Sequence, residues 1–366
     1  MTALSPRIKP SGPVGNSLTT GQLPRFVELY VLGASALASA LLLLLIGFNL
    51  VGWAVVTAIV YLIALGILSV VVENRRKATD RLVRGLVTVA FLLALVPLVS
   101  TLATVVVQGI GQISWSFISQ TGVSTFNPDT LEVTQTPGAL QAIVGTLIIT
   151  GIAALISVPI GLFTSIYLVE YSLRKQWLAR TVTFLVDVMT GIPSIVAGLF
   201  AFSLFSIIVG PKAFSGFSAS VALSVLMIPT VVRACEEMLR LVPDDLREAS
   251  LALGVSKFST IVKIVLPTAI AGLITGIMLA IARVIGETAP IFLAASFTDN
   301  FNANPFDGPM QTLPVLAYTG YAFPGKDIAT SNASAWGAAL LLVILVVILN
   351  LIARVVAKIF APKGSR

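Results

Sequence analysis

What most limits this chain is a stretch that keeps recurring along its 366 positions: about twenty apolar residues in a row with almost no charge among them. About eight such runs can be read, near 29–49, 53–72, 85–107, 140–168, 181–208, 218–238, 267–295 and 336–357. A helix needs roughly 20 apolar residues to cross about 30 Å of hydrocarbon. Lipid offers backbone N–H and C=O groups no partner, so each run must close its hydrogen bonds internally. This implies an all-α, polytopic membrane protein with about eight transmembrane helices. Hydrophobic residues make up 57% and charged ones 11%, where a soluble domain carries about 25% charged residues. The mean hydropathy is +0.99.

The remaining charges set orientation and exclude other classes. A net charge of +7 could suit nucleic acid, but the cations cluster at the ends of apolar runs, where they meet membrane lipid instead. With the N-terminus inside, the cytoplasmic segments hold Arg7, Lys9, Arg25, the run "ENRRKATDRLVR" at 73–84, Arg174, Lys175, Arg180, the stretch from Arg233 to Lys263, and the tail from Arg354. The two long opposite loops, 108–139 and 297–335, contain only Lys326, and a short outer turn adds Lys212. Residues 1–28, with Pro6, Pro10, Pro13 and Pro24, read as a disordered cytoplasmic tail rather than a signal peptide. There follow an N-terminal transmembrane hairpin (29–72), a basic cytoplasmic linker taken as a loop (73–84), and a transmembrane domain (85–360). The lone Cys235 and the lack of histidine exclude an internal disulfide and any histidine base or ligand. No catalytic residue, metal or cofactor is expected on the chain itself. "GYAFPGKD" at 320–327 has the spacing of a phosphate-cradling loop, but Asp327 stands where a magnesium-binding hydroxyl belongs and no strand precedes it.

Against this apolar background, four charged residues stand out. On a helical wheel, Gly272, Gly276, Ala280, Arg283, Glu287 and Pro290 share a sector of roughly 80°, while Leu273, Ile274, Ile277, Ile281, Val284 and Ile285 form an arc expected to face lipid. Small residues four apart allow close helix contact. An arginine at mid-membrane costs about 2.5–3.5 kcal/mol on insertion scales, and an i,i+4 pair returns a few tenths on an exposed helix. Either the pair is a buried helix–helix salt bridge, or it lies on a substrate path. Arginine suits an oxyanion, because its planar fork of donors stays charged. Asp187 lies in another apolar run, four residues before "GIPS" at 191–194, where Gly191 and Pro193 should kink or break the helix. Broken helices can line substrate sites, though a local structural role is equally open. Arg233, near the inner end of its run, either snorkels to the interface or touches substrate.

Residues 243–267, "PDDLREASLALGVSKFSTIVKIVLP", read as a short amphipathic helix interrupted at Gly254. By pattern alone this could be a connector lying on the membrane surface. The segment resembles the coupling-loop motif of permease subunits of bacterial ABC importers: EAA, three residues, G, nine residues, I, one residue, LP. Glu248, Ala249, Gly254, Ile264, Leu266 and Pro267 fall on that spacing, and Ser250 replaces the second alanine. The resemblance implies a helix that docks on a separate ATPase subunit. "IARVIGETAP", with "RLVPDDLREAS" and "DVMTGIPSIVAGLF", is similar to permeases of the phosphate-specific ABC uptake system, its GETAP ending more like the second of the two permease subunits. The similarity covers roughly 85–360 and implies a type I importer core of about six spans, with the 29–72 hairpin outside that pattern. It further implies inorganic phosphate as substrate, Arg283 and Glu287 on its pathway, and three partners: an ATPase dimer that binds the ATP, a sister permease and an extracytoplasmic phosphate-binding protein. The expected location is the cytoplasmic membrane of a prokaryote. Other readings are a permease for sulfate, molybdate or a phosphonate, a stand-alone secondary transporter, or a membrane assembly protein.

Overall fold

The computed structural model describes residues 23–360 apart from 25, 48, 74, 128–131, 173–175, 211–212 and 325–326. Most of the tail at 1–28 lies outside the described residues, as do Arg174, Lys175, Lys212, Lys326 and the chain from Ala361. Seven described helices are long and apolar enough to cross a membrane, or eight if one sharply bent pair is counted as a span. The chain divides into two compact units, Met1–Leu102 and Ala103–Arg366.

The first unit contains α1 (Val27–Ile46), α2 (Leu50–Val72) and most of α3 (Arg75–Gly109). The basic segment expected as a loop at 73–84 is instead helical from Arg75, and α3 runs on from it without interruption. Arg, Lys, Ala and Leu are good helix formers, and no Gly or Pro interrupts 75–84, so a run of charge was mistaken for a linker. Within the hairpin, the Ser39 and Thr57 hydroxyls are hydrogen-bonded, and Trp53 Nε1 donates to the Ala36 carbonyl at 2.9 Å. Such polar ties hold helices together where lipid removes the hydrophobic incentive. Glu73, just past α2, is buried; it accepts from the Leu23 amide at 2.9 Å and the Ser69 hydroxyl at 3.0 Å and pairs with Arg81 at 2.8 Å. Burial works to raise its carboxyl, but the Leu23 amide, Arg81 and Ser69 outweigh burial and hold it below the usual glutamate range.

The second unit begins with α4 (Trp115–Ser119) and an antiparallel hairpin of β1 (Thr121–Asn127) and β2 (Glu132–Ala139). This stretch was expected to be loop. Its β-branched residues, Val123, Thr125, Val133 and Thr134, favour strands. The centre is α5 (Leu140–Ile166) against α8 (Gly216–Arg240), tied by the Ser220 hydroxyl donating to the Ile149 carbonyl at 3.2 Å. Ile149, Leu223, Met227, Val231, Cys235 and Leu239 form the buried core there. Between them in sequence come α6 (Trp177–Thr190) and α7 (Ser194–Val209), bent by 104° at their junction. After α8 come α9 (Asp244–Ala252), α10 (Lys257–Thr260), α11 (Leu266–Val284), α12 (Ala289–Ala295), α13 (Leu313–Ala322) and α14 (Ile328–Phe360). α13 occupies part of the expected outer loop. The false phosphate-loop match ends at Asp327, whose carboxylate caps α14 by accepting from the amides of Ala329 and Thr330 at 3.1 and 3.2 Å.

α11 packs its small face as expected: a Cβ on Gly272 would lie 2.6 Å from Met238, and one on Gly276 3.0 Å from Ala234, both on α8. The opposite arc does not face lipid. Leu273, Val284 and Ile285 are buried, because α11 is covered by α14 as well as α8. The helix also stops at Val284, so a wheel drawn through Pro290 treated two elements as one.

Candidate functional site

Two interruptions of helix build the candidate site. At the first, Gly191 ends α6, and Pro193, which has no N–H, precedes α7. At the second, α11 ends at Val284, the Glu287 amide donates back to the Val284 carbonyl at 3.0 Å, and α12 opens with Pro290 in its first turn. The elements beyond these breaks pack tightly. A Cβ on Gly198 of α7 would fall 2.7 Å from Pro290 Cα of α12, so only glycine admits this approach.

The two breaks and α8 enclose a cavity of about 200 Å³ lined by Thr190, Ser194, Thr230, Arg283 and Glu287 among others. Arg283 is exposed and Glu287 partly so. Neither side chain has a hydrogen-bond or ion-pair partner among the described residues, including each other. The Thr190 and Thr230 hydroxyls donate to helix carbonyls, Val186 O at 2.9 Å and Leu226 O at 3.0 Å. The Ser194 hydroxyl has no partner among the described residues. The cavity thus offers a guanidinium and this O–H as donors, and a carboxylate as acceptor.

Asp187 and Arg233 come together elsewhere. They form an ion pair between α6 and α8, and Arg233 Nη1 also reaches Glu236 at 2.8 Å. Glu236 in turn pairs with Arg240. Neither Asp187 nor Arg233 is among the residues lining the cavity, so of the four expected pathway residues only Arg283 and Glu287 share it. Arg233 is held by carboxylates, not simply extended toward the interface.

The coupling segment is a second, separate feature. Glu248 and Ala249 are exposed on α9, and Gly254 takes φ +78 in open space, a left-handed conformation that other residues rarely adopt. Ile264 lies in a single π turn, Ile261–Val265, and Leu266 and Pro267 start α11. Leu246 of α9, its C-cap Leu253 and Phe258 of α10 point outward, 41%, 83% and 68% exposed. The inner face of α9 is polar. Ser250 is buried and hydrogen-bonds Thr260 at 2.9 Å. Arg247 contacts Glu170 at 2.9 and 3.1 Å, Leu239 O at 2.9 Å and Val242 O at 2.6 Å. Sequence reasoning missed this anchor; its one signal was Glu170, a lone carboxylate closing an apolar run opposite a basic loop.

Residues 157–366 match the family described as binding-protein-dependent transport system inner membrane component. The chain belongs to that family. Among similar permeases, the phosphate transport system permease protein PstA 1 of Mycobacterium tuberculosis is 43% identical over 283 residues, 77% of this chain and 90% of the relative. PstA of Haemophilus influenzae is 36% identical over 280 residues, 76% of this chain and 94% of the relative. A chain of the MetNI methionine ABC transporter shares the fold at a TM-score of 0.50 and 24% identity, over 61% of this permease and 96% of that chain. The fold is therefore that of a type I ABC importer permease with added N-terminal helices.

Proposed function

We propose that the chain is the transmembrane permease subunit of an ATP-driven importer that carries inorganic phosphate into the cytoplasm. The observation that carries this is that Arg283, without a partner among the described residues, shares with Glu287 a cavity where two broken helices meet; the phosphate-permease relatives name the anion. A fixed cation, costly in hydrocarbon, is neutralised each time an oxyanion passes, and its fork of donors pairs with two anion oxygens at once. Glu287 favours phosphate over a fully deprotonated oxyanion such as sulfate. Near neutral pH phosphate keeps at least one O–H, which a carboxylate accepts, whereas sulfate has none to give and is repelled.

ATP binding and hydrolysis fall to an ATPase dimer docked on the coupling segment, where Gly254 and the outward Leu253 and Phe258 present a compact knob. A sister permease completes the pathway, and an extracytoplasmic phosphate-binding protein delivers the anion. The chain sits as a multi-pass protein in the cytoplasmic membrane of a prokaryote with both termini inside, as its basic segments favour.

The test is phosphate uptake by the importer reconstituted with its binding protein. A charge-assisted hydrogen bond is worth about 1.5–3 kcal/mol, so Arg283→Ala lowers uptake at least about tenfold while the ATPase still assembles. Unchanged uptake overturns the assignment. Stronger competition by sulfate or molybdate than by phosphate would move the substrate to another oxyanion, and uptake without the ATPase would make the chain a secondary transporter.

A further inference from the structure

The most strongly charged surface outside the cavity and the coupling segment is the start of α3. Residues 73–84 carry five cations, Arg75, Arg76, Lys77, Arg81 and Arg84, against two carboxylates. Arg81 is taken up by Glu73 at 2.8 Å and Glu28 at 3.4 Å, and Arg84 by Asp80 at 3.3 Å. Arg75, Arg76 and Lys77 are exposed, with no carboxylate in ion-pair reach among the described residues. All three stand in the first turn, at the positive end of the helix dipole, where cations weaken a helix and carboxylates strengthen it. Helix stability does not explain them.

Their position does point to a ligand. α3 has 35 residues, about 52 Å at 1.5 Å per residue, while the hydrocarbon is about 30 Å thick. The charge-free part from Gly85 onward spans the hydrocarbon, so the basic turns stand in and just above the headgroup layer, within reach of extended Lys and Arg side chains. Ala78, Leu82 and Gly85 turn toward α2: a Cβ on Gly66 would meet Leu82 at 3.1 Å, and one on Gly85 would meet Leu62 at 3.2 Å. Arg75, Arg76 and Lys77 span an arc of about 200° of the first turn, Arg76 and Lys77 pointing away from those contacts. The neighbouring groove is lined by Glu28, Glu73 and Asp80 as well as Lys77, Arg81 and Arg84, so it is close to neutral and is not the seat of an anion; Lys77 stands at its rim, and Arg75 and Arg76 lie outside it.

We propose that this basic arc binds the phosphodiester headgroup of an anionic membrane lipid and so fastens the N-terminal hairpin at the bilayer surface. Free inorganic phosphate has the same charge chemistry. An open surface, however, cannot enclose a small ion against water, whereas a lipid is held in place by its own acyl chains.

The experiment titrates the full-length protein in its purified complex with phosphatidylglycerol or phosphatidylcholine and counts retained lipid by native mass spectrometry. Phosphatidylglycerol is retained preferentially, and the preference fades as salt rises. Each cation near an anionic surface is worth about a fivefold change in affinity, so the triple variant R75Q/R76Q/K77Q weakens phosphatidylglycerol on the order of 100-fold, and R75K/R76K retains it. The salt arm uses the unmodified protein, so the test survives a variant that fails to fold. Equal retention of the two lipids, a salt-insensitive preference, an unchanged triple variant, or displacement of the lipid by inorganic phosphate at about 10 mM would each overturn the proposal.

Discussion

At Arg283 and Glu287 the two charges share one cavity without pairing, and that separation gives each a different test. Arg283→Lys keeps the positive charge but loses the two-pronged geometry, so it should retain part of the uptake that Arg283→Ala loses. Glu287→Gln removes the repulsion that disfavours fully deprotonated oxyanions; phosphate uptake should fall while sulfate becomes a better inhibitor, measured by competition in proteoliposomes. The other ion pairs separate by burial. Asp187 and Arg233 have side chains 59% and 38% exposed, so Asp187→Asn should change thermal stability by about 1 kcal/mol or less. Glu170 and Arg247 are 7% and 15% exposed, and Glu170→Gln, which takes the buried carboxylate from a guanidinium that keeps the Leu239 and Val242 carbonyls and Asp244, should cost more, about 1.5–3 kcal/mol. Sequence marked Arg283 and Glu287 because charge in an apolar run is conspicuous. It could not mark the Asp187–Arg233 pair, whose members are 46 residues apart and meet only through packing of α6 on α8.

Among the elements, the coupling segment was the most legible, because a left-handed turn leaves a glycine in the sequence and the motif leaves its spacing. Gly254→Ala meets no neighbouring atom, yet it carries the roughly 1–2 kcal/mol penalty of a left-handed backbone. The variant should insert normally and show weaker stimulation of the partner ATPase by loaded binding protein, read as phosphate release. The break at 191–193 was equally visible from Gly191 and Pro193. The end of α11 was overlooked although Gly286, just past its C-cap Ile285, is a stop signal: the apolar periodicity runs through to Pro290, and a continuous wheel misassigned Leu273, Val284 and Ile285 to the lipid. The β1–β2 hairpin and α13 were hidden for a different reason. They are short elements outside the hydrocarbon, where the dominant apolar signal is silent.

For the molecule as a whole, charge placement gives both a pH response and an orientation. The Glu73 carboxyl lies below the usual glutamate range in the folded state, so the stability it supplies is complete above that range and is lost as pH falls through the lowered native value. Acid melting of residues 23–102, followed by hydrogen exchange, should therefore show a drop that Glu73→Gln abolishes. The expected orientation places the loop containing Asn300 outside and the turn containing Ser256 inside. The buried core supplies the means to check it. Cys235, packed against Val231 and Leu239 with no exposed surface, is hidden from aqueous maleimides, so the natural protein is silent in thiol labelling. A cysteine placed at Asn300 should react in intact cells and one at Ser256 only after they are opened, with the native thiol left in place.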